Sequence, residues 1–325
     1  MIPGINREDD KNNLGKYVIK RLIYLIPVLF GITFLSFALT YLSPGDPAEL
    51  MLSATGTTPS PELIQQVREG MGLNKPFFAQ YLHWLTNVLN GDFGTSYKYN
   101  KPVLDLILSA LPATFKLAGI TILMTTLIAL PLGIISALHR NKVLDNIIRA
   151  VSFLGISLPA PWNGLILMYI FALKLKVLPV MGDSNWTSII LPSASMTILL
   201  ASRYTRQVRA FVLEELSQDY VVGAKARGIS GRGIVLKHVL RNSLVPIITQ
   251  LGLTFGVLLG GVVIIESIFS WPGVGKLAIE AIFTRDYPLI QGYVVWMTVI
   301  YMLINMLVDI SYYILDPRIR LEKRA

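Results

Sequence analysis

The 325-residue sequence contains no cysteine. Disulfides, thiolate metal sites and a cysteine nucleophile are thereby excluded. Charge is scarce as well: Asp, Glu, Lys and Arg make up 15% of the chain, against about 25% in soluble domains. Histidine occurs only at His83, His139 and His238. There is no H-E-x-x-H pair and no G-x-S-x-G elbow, and Gly273-Val274-Gly275-Lys276-Leu277 lacks both the spacing and the hydroxyl of a phosphate-binding loop. The sequence therefore predicts no enzyme and no cofactor held by this chain.

Hydrophobic residues, by contrast, make up 53% of the sequence, which places it in the polytopic membrane class. A crossing takes about 20 mainly apolar residues. Leu22–Leu42, Leu117–Leu138, Ala150–Leu173, Asn242–Ile265 and Tyr287–Val308 meet that length, and Ser184–Ser202 supplies a sixth between Asp183 and Arg203. The expected fold class is all-α, with six transmembrane helices. If the amino terminus is cytoplasmic, 20 Lys and Arg fall inside and eight outside, with Lys116 at a border. That bias predicts cytoplasmic termini at both ends. The net charge of +9 sits beside apolar runs, so membrane lipid is its predicted partner and nucleic acid is not. The central thirds of the spans carry no charge. A standalone secondary transporter, which needs an ionisable relay at mid-depth, is disfavoured, and the driving energy has to come from a partner.

The expected organisation is a tail (1–16), a first helix (17–42), an outer helical cap (43–112), a five-helix core (113–315) and a basic tail (316–325). The first helix exceeds a signal-peptide core and lacks a small-residue cleavage pattern, so it reads as a retained anchor. Within the cap, Ser60-Pro61-Glu62 is a helix start. Leu63, Ile64, Val67 and Met71 follow it as an apolar stripe, and Phe77–Leu89 reads as a second, aromatic helix. His83 belongs to that aromatic face and reads as a surface or packing residue, although imidazole is an ordinary nickel ligand.

The core contains a basic loop, 203–241, in which eight cations stand against Glu214, Glu215 and Asp219. Such a density of charge belongs outside hydrocarbon. Gly228 separates two helical pieces, Asp219–Arg227 and Ser230–Arg241; glycine suits the end of the first and serine the cap of the second. Ile234, Val235, Leu236, Val239 and Leu240 form a stripe beside Arg232, Lys237 and His238. It fits either a helix laid into another protein's groove or a helix-turn-helix packed on its own chain. In the fifth span Gly252, Gly256 and Gly260 recur every four residues with Gly261 adjacent, a face for close helix packing or for a narrow passage. Glu266, at the membrane edge, reads as a bordering charge, with a gate or substrate contact as the alternative.

Ala224, Gly228, His238-Val239-Leu240-Arg241-Asn242 and Pro246 resemble the cytoplasmic coupling loop of permease subunits of bacterial ABC importers, in the peptide/nickel variant. Val222 and Arg241 stand where the broader pattern has an acid and a proline. The likeness extends through GLNKP, QY, WL, GDFGTS and LPAT in the cap and Ile265–Gly275 after the fifth span, so that it covers nearly everything after Lys16. PVLDLILSALPAT, VLPVMGDSNWTSIILPSAS and WPGVG…AIFTRDYPLIQ are most similar to the nickel-permease branch. The resemblance implies a type I importer permease, and an ATPase-coupling loop comprising Asp219, Tyr220, Ala224, Gly228, His238, Arg241 and Asn242. Implied partners are a second homologous permease, two ATP-binding subunits that hold ATP and Mg, and an outer solute-binding protein. Nickel, free or chelated, is the expected cargo, with di- or oligopeptides as the alternative.

Overall fold

The computed structural model describes residues 7–53, 59–181 and 186–315, with the side-chain surroundings of 7–22, 257, 260, 261, 309 and 311–315 outside that description. Regular structure among the described residues is helical, apart from one isolated bridge between Thr95 and Pro102. The chain divides into two compact units, residues 1–111 with 277–306 and residues 112–276 with 307–325.

The first unit contains α1 (Arg7–Tyr41), α2 (Pro47–Ser53), α3 (Pro61–Gly70) and α4 (Phe77–Leu89). Helix α1 begins at Arg7, inside the stretch expected as a tail. Ser60 accepts the Leu63 N–H through its side chain and Pro61 opens α3, as the sequence predicts. The α3 stripe is only half-buried, however, and Leu63 is exposed. Helix α4 docks on α1 through rings: Phe34 and Phe37 meet Phe77 and Tyr81, and the Thr33 and Tyr81 hydroxyls are 3.1 Å apart. Edge-on pairs of this kind add to the apolar area they bury.

Helix α5 (Val103–Leu138) contributes to both units. The second unit continues with α6 (Val143–Ser157), then α7 (Ala160–Leu167) with a π-helical extension (Met168–Lys174), and α8 (Ile190–Leu216). The sequence predicts one straight span over Ala150–Leu173, but the chain turns by 96° between α6 and α7. Leu158 precedes Pro159 and is extended, with φ −99° and ψ 125°; a residue before proline is sterically pushed out of the helical region. Helix α8 runs on past the expected end at Ser202 to Leu216 and packs against α6 and α7. Asp145 of α6 is fully buried and joins three helices. It accepts two 2.8 Å bonds from Arg209 of α8, one of 2.5 Å from Ser136 of α5, and the Asn141 N–H.

After α8 come α9 (Asp219–Ala226), α10 (Gly231–Ile234), a π-helical turn (Val235–Val239), α11 (Leu240–Gly261) and α12 (Val263–Ile268). The chain continues as α13 (Val274–Thr284) and α14 (Tyr287–Leu315). Among the described residues three segments, Ile23–Tyr41, Val103–Leu138 and Tyr287–Val308, are long and apolar enough to cross a bilayer, and the bent α6–α7 pair makes a fourth if it counts as one span.

Glu266 departs from its sequence reading as a bordering charge. It is wholly buried, accepts the Thr114 hydroxyl at 2.6 Å, and takes the N–H groups of Gly275 and Lys276 in the first turn of α13. The carboxylate satisfies orphan donors at the positive end of a helix, where it is favoured electrostatically. Glu266→Ala strands these donors, at about 1–3 kcal/mol for each one left unsatisfied. Thermal unfolding of the detergent-purified protein is expected to drop by several degrees for this variant and to stay unchanged for the exposed Glu49→Ala.

Candidate functional site

The segment following α8 folds back onto its own helix. Val208 and Val212 of α8 bury against Val221 and Ala224 of α9, Ile234, Val239 and Ile247, with Ala137 of α5 closing the cluster. The turn between α9 and α10 is a paired cap: Gly228 N–H bonds to Lys225 C=O and Ile229 N–H to Ala224 C=O. Gly228 holds φ at +75°, and an added Cβ would meet nothing within 4 Å. The residue is therefore required for its backbone angle rather than for space. Ser230 then accepts the Gly233 N–H and caps α10.

The sequence predicts Ser230–Arg241 as one helix whose stripe serves either a partner's groove or a helix-turn-helix packed on its own chain, and the structure takes the second course. Ile234 and Val239 point into the chain's own core. In an α-helix residues five apart lie about 140° apart around the axis. The π-helical turn over Val235–Val239, with its i→i+5 bonds, brings them to one face. Val222 and Leu236 are the most exposed of the outward apolar side chains, at 63% and 67% exposure, among exposed Lys225, Arg227, Arg232, Lys237, His238 and Arg241.

The expected coupling residues converge in part. Tyr220, Ala224, His238, Arg241 and Asn242 line one cleft of about 520 Å³ together with Arg227 and Lys237. Asp219 and Gly228 stand outside it. At the base of the cleft the Tyr220 hydroxyl donates to Glu215 Oε2 at 2.6 Å, and Asn242 Nδ2 donates to the same oxygen at 3.3 Å. One carboxylate thus joins the end of α8 to the starts of α9 and α11. Burial, reinforced by the Glu215 carboxylate, pushes the Tyr220 hydroxyl up to about 12. It stays a donor throughout the neutral range.

Glu215 escaped the sequence reading because its partners sit at spacings that match no helical period. One signal was present: an acid in the last turn of a helix opposes the macrodipole and needs a tertiary partner. In α11, a Cβ on Gly252 would stand 2.9 Å from Val308 Cγ2, which makes this position a helix-packing contact. Gly256 is buried one turn on, while the surroundings of Gly260 and Gly261 lie outside the described residues. His83 is exposed on α4. Among the described residues no group of three His, Asp or Glu is placed to hold a metal ion.

Residues 129–321 match the model of the binding-protein-dependent transport system inner membrane component, and residues 14–118 match its N-terminal companion. The chain belongs to this family. It is an ABC importer permease of the peptide/nickel subfamily and a multi-pass inner membrane protein. The glutathione transport system permease protein of Escherichia coli (strain K12) is 38% identical over 94% of this permease and 98% of its own length. The Salmonella typhi protein of the same description is 40% identical over the same shares. A methionine ABC transporter solved in inward-facing conformations matches with a TM-score of 0.52 at 16% identity, over 65% of this permease and 96% of that chain. A second solved structure, an amino acid ABC transporter with histidines, gives 0.50 at 15% identity over 64% and 93%. These two likenesses extend to the fold.

Glu215→Ala removes the acceptor shared by Tyr220 and Asn242. Amide hydrogen exchange over 219–242 is expected to accelerate while the α8 amides at 200–212 keep their protection, and unchanged exchange in the loop would show that the shared carboxylate does not hold it.

Proposed function

We propose that this permease forms half of the translocation pathway of an ATP-driven importer of small peptides. It is paired with a second homologous permease, two cytoplasmic ATPases that hold ATP and Mg, and an outer solute-binding protein. The observation that carries the coupling role is the cationic cleft at 219–242, tied by Glu215 to α8 yet uncovered on its outer side. An ATPase surface that presses on Val222, Leu236 and the surrounding cations moves α8 and α11 directly, because the loop shares its core with them. Asp219 and Gly228 serve this role indirectly, one at the start of α9 and the other by fixing the turn.

The organisation proposed is six crossings with both termini cytoplasmic. Helices α8 and α11 complete the count, and the tails and outer cap keep the boundaries 1–16, 43–112 and 316–325. The Lys and Arg asymmetry supports the orientation. The chain itself holds no cofactor and performs no hydrolysis. Gly252 and its neighbours serve helix packing.

Peptide cargo is favoured over nickel because relatives alike over 94% of the chain carry glutathione, a tripeptide, in their descriptions. In a strain lacking this chain, re-expression is expected to restore uptake of labelled glutathione or dipeptides and to leave labelled nickel uptake at background; the converse result returns nickel as the cargo.

Gly228→Val forces a β-branched side chain into left-handed backbone at a cost on the order of 1–3 kcal/mol. The expected outcome is normal membrane insertion with cargo uptake reduced severalfold per ATP hydrolysed, measured in proteoliposomes. Full coupling in that variant would count against the role proposed for the loop.

A further inference from the structure

A cavity of about 1160 Å³ opens between α6 and α8, wholly within the second unit. Its walls have a sharp polarity. On α8, Leu199, Arg203 and Arg206 follow one another at i, i+4 and i+7 on one face, and on α6, Arg149 and Phe153 do the same at i and i+4. The two helices supply cations at the same end of the cavity and apolar side chains, Phe153, Ile156 and Leu199, at the other. Phe153 is 66% exposed.

Among the described residues no carboxylate lines this space. Arg209, the fourth cation in its wall, is already committed to Asp145. Arg149, Arg203 and Arg206 are exposed and have no ion pair or hydrogen bond among the described residues. Three convergent guanidiniums with no anion of their own chain, above a greasy slot, match an amphiphile that carries a phosphate at the head of a hydrocarbon tail. Arginine's planar fork suits phosphate oxygens in particular. Basic pockets between transmembrane helices at the cytoplasmic surface are a recurrent setting for anionic lipid headgroups.

We propose that this cavity binds an anionic phospholipid of the inner leaflet, its phosphate held by Arg149, Arg203 and Arg206 and one acyl chain lying along Phe153, Ile156 and Leu199. The inference rests on the cytoplasmic placement of the α6–α8 end given above, and the cysteine-free chain separates the two claims. A membrane-impermeant thiol reagent that modifies Arg206→Cys from outside intact cells would overturn the orientation, whatever lipid binds.

The lipid claim is tested on the assembled transporter, purified in mild detergent, by native mass spectrometry with phosphatidylglycerol and phosphatidylcholine of identical acyl chains. Phosphatidylglycerol is expected to be retained preferentially, more weakly as salt rises because the arginines are solvent-facing. Replacing all three arginines by Gln is expected to weaken that retention roughly a hundredfold, while replacing all three by Lys, which keeps the charge and loses the fork, weakens it less. Equal retention of the two lipids, or an unchanged triple-Gln variant, would refute the site. So would a disulfide or cross-link from Phe153→Cys to the second permease, because the cavity would then be a subunit interface. Protection of Arg203→Cys from a thiol reagent by glutathione but not by phosphatidylglycerol would instead assign the cations to cargo carboxylates, and would equally overturn the proposal.

Discussion

The second unit is built around Asp145. A fully buried carboxylate is tolerable only when its charge is met on all sides, and here Arg209, Ser136 and the Asn141 N–H meet it. Because those partners come from α5, α8 and the loop before α6, one side chain fixes three helices at the same end of the unit. The basic loop then inherits its position, since Val208 and Val212 flank Arg209 on α8 and form the floor on which α9 and the π-helical turn pack.

The same device recurs at the starts of two other helices. Glu266 receives the first-turn N–H groups of α13. Asp286 is buried ahead of α14, accepts the Leu289 N–H, and also takes the Ser96 hydroxyl and the Lys98 N–H from the loop after α4. The buried acids Asp145, Glu266 and Asp286 sit at junctions, where helix N-termini and hydroxyls offset the cost of desolvating them.

Much of the architecture could be read in the residues. Pro61 after Ser60, the aromatic run Phe77–Leu89 and the Gly228/Ser230 punctuation of the basic loop all rest on local chemistry, and all appear where the sequence predicts them. The bend at Leu158-Pro159 was also local in cause, yet it lay inside an apolar run whose length alone argued for a straight span. Of the residues expected to form a coupling loop, Tyr220, Ala224, His238, Arg241 and Asn242 gather at one cleft. Glu215, which joins two of them, escaped because its contacts cross a helix break.

The sequence by itself determined that this is a helical membrane protein with a basic, glycine-broken loop between apolar runs. Hydrophobic run length, charge placement and turn-forming residues are local properties, and they set those features before any packing occurs. Only the tertiary structure decided which apolar side chains of the basic loop face inward, that Glu266 and Asp145 are interior anchors, and that three arginines on two different helices converge on one cavity. These outcomes depend on distances between segments far apart in the chain and on one π-helical turn that shifts a stripe around its axis, and no periodicity in the residues encodes either.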